Sequence, residues 1–489
     1  MQNVTTGNRG AADDPPVFRT RRWGVITGLA GLGLAALLWS TVCAVPGIPW
    51  NAPRLAPAFA VSYGLPIYAL RDSALHLGWF YGPGFPLWYL PVTLTENPTL
   101  ALVLSGIGNT VTLLAPLAGM AWIAGVARGR FLWGVAIVGG VLLYGQTATH
   151  FEFYFVHVDA VCCAWGFLAC AGLWWAVSGR GSWALHLAAL ALALAIWTKQ
   201  IAVMLVPAML CWLWFERQGR WLGKFLLWSV VYGGIVTALI FRFFGAAEVL
   251  FNTWYAHVRN PWMGGAALLV FRLRSLLEWS WVWLPIGGAA IWWWRSSGKP
   301  RLPGPAAAVQ RLLLWVAAWQ LPLGFAAVLK AGGGLNSIHS VHYAFAAGLI
   351  WICHLLGQPA PRGRPGVRLG LLWAGALAIP LGNGLALALE QNLVWTPFRG
   401  QEEWLAMVRQ QPGRFYFPWN PLPTLIAERR ILPFDDALFC LWKSGLEVPA
   451  GKVREAVGPN PVIVYAEPAE SHFALRYFPA MRRGPASGP

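Results

Sequence analysis

The stretch Pro46–Pro91 is crowded with Pro, Gly and aromatic residues, and its one carboxylate is Asp72. Arg71 flanks it, His76 follows, and Tyr81-Gly82-Pro83 comes a few residues later. A lone carboxylate in an aromatic loop suits a general base that has to be partly desolvated. It equally suits an ion pair with Arg71, or a cap on a short helix starting at Ser73.

Further along, Lys199 interrupts an apolar stretch from Trp183 to Phe215, within Trp197-Thr198-Lys199-Gln200. A lysine there must face water, a partner or an anion, or snorkel to lipid headgroups. His150-x-Glu152 and His157-x-Asp159 sit close together, but this spacing is not specific for a metal, and span-capping or paired structural roles fit it as well. No cofactor is therefore expected, and a divalent metal is not indicated. Asp159 opens an apolar run, where a carboxylate meets the positive end of a helix and serves as a cap. Glu248, His257 and Arg259 fall in one polar segment, and Lys330, Asn336, His339 and His342 in another. Gly332-Gly333-Gly334 in the latter can offer backbone N–H groups to a phosphate or act as a flexible connector. The pair Asp435-Asp436 is weak evidence for a diphosphate-bound metal and is set aside.

These residues need a scaffold, and composition says which kind. Of 489 residues, 57% are hydrophobic and 11% charged, too apolar for a soluble chain of this size. Several runs approach the roughly 20 residues that cross a bilayer. Many of the Trp residues, such as Trp23, Trp79, Trp88, Trp183, Trp197 and Trp395, stand at run ends, where indole prefers the interface. The net charge of +17 raises the question of nucleic acid, but the cations cluster between apolar runs rather than along one stripe. That is the pattern of orientation signals, so the expected partner is the lipid bilayer and no nucleic acid. The seven Cys lie almost all inside apolar runs, which predicts no disulfide framework.

The expected fold is an α-helical polytopic membrane protein of about eleven transmembrane helices, with a small α+β extracytoplasmic C-terminal domain. Residues 1–22 form a cytoplasmic tail ending in Arg19, Arg21 and Arg22, and residues 23–389 the transmembrane part. Its outer loops are 46–91, 150–159, 245–274 and 330–342. Residues 390–480 form the outer domain and 481–489 a disordered tail. Trp183–Phe215 is decided by its flanks: Arg180 precedes it and Arg217, Arg220 and Lys224 follow, so the crossings between them are even in number. It reads as a hairpin of two short arms with Lys199 at the outer tip. Each arm, about 15 residues or roughly 22 Å, falls short of a core of about 30 Å. No Walker or Rossmann glycine pattern is present, so ATP-driven transport is not indicated.

The Asp in the first outer loop, Tyr81-Gly82-Pro83, Val158-Asp159-Ala160, the Trp197–Gln200 hairpin and the Gly-Gly-Leu-Asn336 loop resemble the GT-C superfamily of membrane glycosyltransferases. That superfamily includes protein O-mannosyltransferases and the aminoarabinose transferase of lipid A. The resemblance covers most of the chain in layout, through motifs that are short. It implies a hexosyltransferase of the bacterial inner membrane, with a polyprenyl-phosphate sugar as donor and a first-loop carboxylate as base. By position that residue is Asp72. Family members often carry paired acids just after the first span, whereas this Asp is single and late in the loop.

The chemistry agrees. A sugar on a lipid phosphate already has its leaving group, so the enzyme supplies a base for the acceptor hydroxyl and fixed cations for the phosphate. Asp72 fits the first role, and Lys199, Arg259 and Arg71 the second. Asp159, His157, Glu152, His257, Asn336 and His339 are expected to bind substrate or hold the structure. The acceptor, whether glycolipid, protein or polysaccharide, is not specified. The rival reading is a flippase for lipid-linked oligosaccharide or a polysaccharide exporter, which calls for ionisable groups at mid-membrane in broken helices. Here they gather at one face. A structural scaffold leaves that gathering unexplained.

Overall fold

The computed structural model describes residues 21–70, 73, 75, 77–127, 130–262, 266–281, 283–296, 301–330, 337–356, 366–394, 400–464 and 473–478. Asp72, Arg71 and Asn336, the Gly332–Gly334 run and most of both expected tails lie outside these residues.

The described chain is mostly helical. Its first half contains α1 (Arg21–Ala44), α2 (Asn51–Ser62), α3 (Gly84–Trp88), α4 (Pro98–Ile123), α5 (Arg130–Tyr144), α6 (Thr147–Tyr154), α7 (Val158–Val177), α8 (Trp183–Ile196), α9 (Leu205–Phe215) and α10 (Gly219–Phe244). Then come α11 (Ala246–Leu250), a π turn (Phe251–Tyr255), α12 (Ala256–Arg259), α13 (Ala266–Ser280), α14 (Trp283–Ser296), α15 (Gly304–Val328), α16 (Ser340–Leu356) and α17 (Gly366–Val394). The C-terminal segment holds α18 (Gln401–Gln410), α19 (Leu422–Glu428), α20 (Asp435–Lys443) and α21 (Ala450–Val457).

Helices occupy every apolar run expected to span, namely α1, α4, α5, α7, α8, α9, α10, α14, α15, α16 and α17. Among the described residues five segments, within or overlapping α1, α4, α7, α10 and α15, are long and apolar enough to cross a membrane. Local signals set some limits. Asn97 caps α4 by accepting from Leu100 N at 2.9 Å, with Pro98 in the first turn where a missing N–H costs nothing. Gly245, at φ +78°, closes α10 in a conformation that suits glycine.

Small residues bring α7 and α8 together. Ala184, Ala188, Ala191 and Ala195 are buried on α8. A Cβ added at Gly172 of α7 would stand 2.8 Å from Ala184 O, so the backbones nearly touch. The two helices follow each other through a short turn, so the start of α7 lies beside the end of α8. The same hairpin logic sets the start of α16 beside the end of α15. Gly324 of α15 leaves room for the chain at Ser337 and Ile338: a Cβ there would meet Ser337 O at 3.1 Å.

Two expectations change. The segment 150–159, read as a loop, contains most of α6, a short helix packed on α1, α4, α5 and α17. Its aromatic residues, Phe153 and Tyr154 among them, are buried there. The C-terminal segment has only a two-residue ladder for its β part among the described residues. Phe415–Tyr416 (β1) runs parallel to Val462–Ile463 (β2). Around it pack Tyr416, Leu438, Leu441, Leu446, Val453 and Val457. The segment rests on the bundle through α19 against α2 and α18 against α4. Asp435 and Asp436 take the first turn of α20, where the helix dipole favours carboxylates.

Candidate active site

Five separate segments meet at one end of the bundle. Gly84 N donates to Trp197 O at 3.1 Å, which seats the Tyr81–Gly84 turn on the hairpin tip. A Cβ at Gly82 would lie 1.6 Å from that same carbonyl oxygen, so only glycine lets the two backbones approach this closely. Gln200 Nε2 donates to Thr253 O at 2.8 Å, and Lys330 Nζ to His257 O at 2.8 Å. The 46–91 segment, the α6–α7 junction, the turn at Lys199 between α8 and α9, the 245–274 segment and the approach to α16 therefore share one site.

At its centre Asp159 is fully buried, in the first turn of α7. One carboxylate oxygen accepts from Lys199 Nζ at 2.5 Å and from His339 Nε2, and the other from His157 Nδ1. Lys199, itself buried, also reaches Ser337 Oγ at 3.4 Å. Its backbone is extended, with φ −146° and ψ 130°, which carries the side chain away from the α8 axis and toward α7. The carboxylate expected as a cap thus serves as the hub of a buried ionic cluster. Below it a second buried carboxylate, Glu152 of α6, accepts from His342 Nε2 at 2.7 Å. The backbone carbonyl of Glu152 accepts from Asn109 Nδ2 of α4.

Tyr81 faces the cluster and collects basic groups. Arg54 and Lys199 each lie 5.7 Å from its ring centroid, within cation–π reach. The His257 and His157 rings stand at 5.9 and 6.0 Å. His257 Nε2–H donates to Phe80 O at 2.6 Å. Burial, together with the nearby charges of Lys199 and Lys330, outweighs that bond and pushes the imidazole down to about 4. His257 is therefore neutral at pH 7.

Of the residues picked from sequence, Asp159, Lys199, His157 and His339 form one cluster, Glu152 adjoins it through His342, and His257 lies across Tyr81. Arg259 shares α12 with His257 but is exposed, its guanidinium 4.6 Å from the Tyr255 ring centroid. Sequence reasoning passed over Arg54 and Ser337, and named Tyr81 only within the Tyr81-Gly82-Pro83 motif, without a role at the site. The one signal for Arg54 was a cation within an outer loop, in the short amphipathic stretch Asn51–Ser62. Among the described residues no group of three or more His, Cys, Asp or Glu has the arrangement of a metal site.

No protein-family model and no curated protein sequence matches the chain. Its shape does match solved structures. ArnT from Cupriavidus metallidurans, crystallised bound to undecaprenyl phosphate, superposes with TM-score 0.54 at 13% identity, covering 86% of this chain and 90% of that one. The same protein in its apo state gives TM-score 0.51 at 12% identity over the same shares. The chain therefore has the fold of ArnT, an aminoarabinose transferase of the GT-C glycosyltransferase class.

Proposed function

We propose that the protein is a glycosyltransferase of the bacterial inner membrane, moving a sugar from a polyprenyl-phosphate donor to an acceptor hydroxyl on the extracytoplasmic face. The observation that carries this reading is the meeting of Asp159, Lys199, His157, His339 and Tyr81 at one end of a bundle with the ArnT fold. In this reading eleven helices span, the N-terminus is inside and residues 390–480 are outside.

The acceptor oxygen attacks the anomeric carbon, the bond from that carbon to the phosphate oxygen breaks, and polyprenyl phosphate departs. The acceptor proton passes to the Asp72 carboxylate. Asp159 is a poor proton acceptor, because it already accepts from an ammonium and two imidazoles, and its role is to hold Lys199 in place. Lys199 has three N–H donors; Asp159 and Ser337 engage two, and the third is assigned to the donor phosphate. Arg259 and Arg71 add positive charge around the leaving group. The donor already carries its leaving group, so no nucleotide is needed to activate the sugar.

The test uses the full chain in lipid nanodiscs, a polyprenyl-phosphate sugar labelled on the sugar, and a total membrane lipid extract as acceptor. Label should move to a new product as free polyprenyl phosphate appears. Asp72→Asn should slow this by about two to four orders of magnitude. In proteoliposomes, label that crosses the bilayer with its phosphate bond intact would instead make the protein a flippase.

A further inference from the structure

We infer that Glu152 and His342 form a positioning dyad for the anion site, acting through the turn that His342 shares with His339. What the anion belongs to rests on the glycosyltransferase reading. The geometry of the dyad does not.

His339 immediately precedes α16 and His342 lies in its first turn, and His342 N donates to His339 O at 3.0 Å, so one turn of chain carries both. Their rings lie 6.5 Å apart and nearly perpendicular, at 88°. Each uses Nε2 to donate to a buried carboxylate: His339 to Asp159 of α7, His342 to Glu152 of α6. Each Nδ1 is buried and has no hydrogen-bond partner among the described residues. One bond therefore orients each imidazole, and two bonds together fix the rotation of the turn. Glu152 is in turn anchored, since Asn109 of α4 donates to its backbone carbonyl.

Two elements, α6 and α7, are tied to the α16 turn in this way, and the consequence falls on Lys199. Ser337 and His339 both approach the Asp159–Lys199 pair from the chain entering α16. While His339 donates to one carboxylate oxygen of Asp159, Lys199 shares that carboxylate and keeps an N–H for an external anion. If the turn rotates, Asp159 loses the imidazole and holds the ammonium more closely. The site then binds its anion less well, although no group touching that anion has been changed.

The experiment measures the dissociation constant of undecaprenyl phosphate for the full chain in nanodiscs, with thermal unfolding followed in parallel. His342→Ala and Glu152→Ala should each raise the constant about tenfold, equivalent to roughly 1.4 kcal/mol. Glu152→Gln keeps an acceptor oxygen for His342 and should bring the loss back to about threefold, since a neutral bond is weaker than a charge-assisted one. A role in folding alone would reduce the amount of competent protein but leave the constant unchanged, and that result overturns the dyad. If the alanine variants do not fold, Glu152→Leu fills the volume without an acceptor, and wild-type affinity in that variant overturns the proposal equally. Sugar transfer by the unaltered protein is scored separately. Tight, dyad-dependent binding without any transfer would sink the enzymatic reading and leave the dyad standing.

Discussion

Replacing Lys199 with Met is the sharpest test of the buried cluster. The Lys199 side chain is 8% exposed and that of Asp159 0%, with 2.5 Å between Nζ and the carboxylate oxygen. At an effective dielectric of about 20, two unit charges at that distance attract by about 7 kcal/mol. Desolvating each ion costs several kcal/mol, so most of the attraction is offset, and the pair adds little net stability over apolar residues. Removing one partner is different, because Asp159 keeps its desolvation cost and loses its ammonium. Such changes cost about 3–5 kcal/mol. The lower end applies here, since His157 and His339 still donate to the carboxylate. Lys199→Met should therefore cost about 3 kcal/mol, with a similar loss for Asp159→Asn. The double variant should lose less than the sum of the singles by about 2–3 kcal/mol, because it leaves no unpaired charge. The assay is unfolding in mixed micelles at rising SDS mole fraction, followed by tryptophan fluorescence. Raising salt should leave the coupling nearly unchanged, as buried pairs are little screened. Additive single effects, or a Lys199→Met variant as stable as wild type, would show that the pair is not formed and would remove the basis for the site.

Other measurements bear on the surroundings. Glu96 joins exposed Arg409 and Arg429 at 2.8 and 2.7 Å, so Glu96→Gln should shift stability in the same assay by under about 1 kcal/mol, an effect that high salt abolishes. Gly82→Ala should displace the first outer loop from the hairpin and cut sugar transfer by more than about tenfold, whereas Gly223→Ala, where a Cβ meets nothing within 4 Å, should leave transfer intact; equal behaviour of the two would refute the close approach. His257, pushed down to about 4, is neutral in the folded protein and protonates near 6.5 when unfolded. Its contribution is thus fully present above pH 6.5 and is lost as pH falls toward 4, by at most about 3 kcal/mol before solvent screening reduces it. His257→Gln should flatten that limb of the stability profile, and an unchanged profile would show that another group causes it. A reporter active only outside the cytoplasm, fused after Gly400, should be active; activity of a cytoplasmic reporter there would invert the topology.

The helices were legible because each is a local property of its run. About twenty apolar residues in a row must hydrogen-bond their own backbone in lipid, whatever lies around them. The hairpin was legible for a related reason. The flanks Arg180, Arg217 and Arg220 pointed to two short arms rather than one long helix, and α8 and α9 lie on either side of Lys199. Helix α6 was not legible, because His150, Phe151, Phe153 and Tyr154 have no helical pattern strong enough to stand alone; packing on α1, α4, α5 and α17 makes the helix. The partners of Asp159 were hidden for the same reason. Lys199 is 40 residues away and His339 is 180, and no spacing rule connects them. They meet because alanines let α7 and α8 close together and because Gly324 admits the chain entering α16. The residue types with useful chemistry were written in the sequence, as local solubility and charge require. Which carboxylate each cation meets was decided only by helix packing, where contacts between distant segments desolvate the charges and leave them no partner but one another.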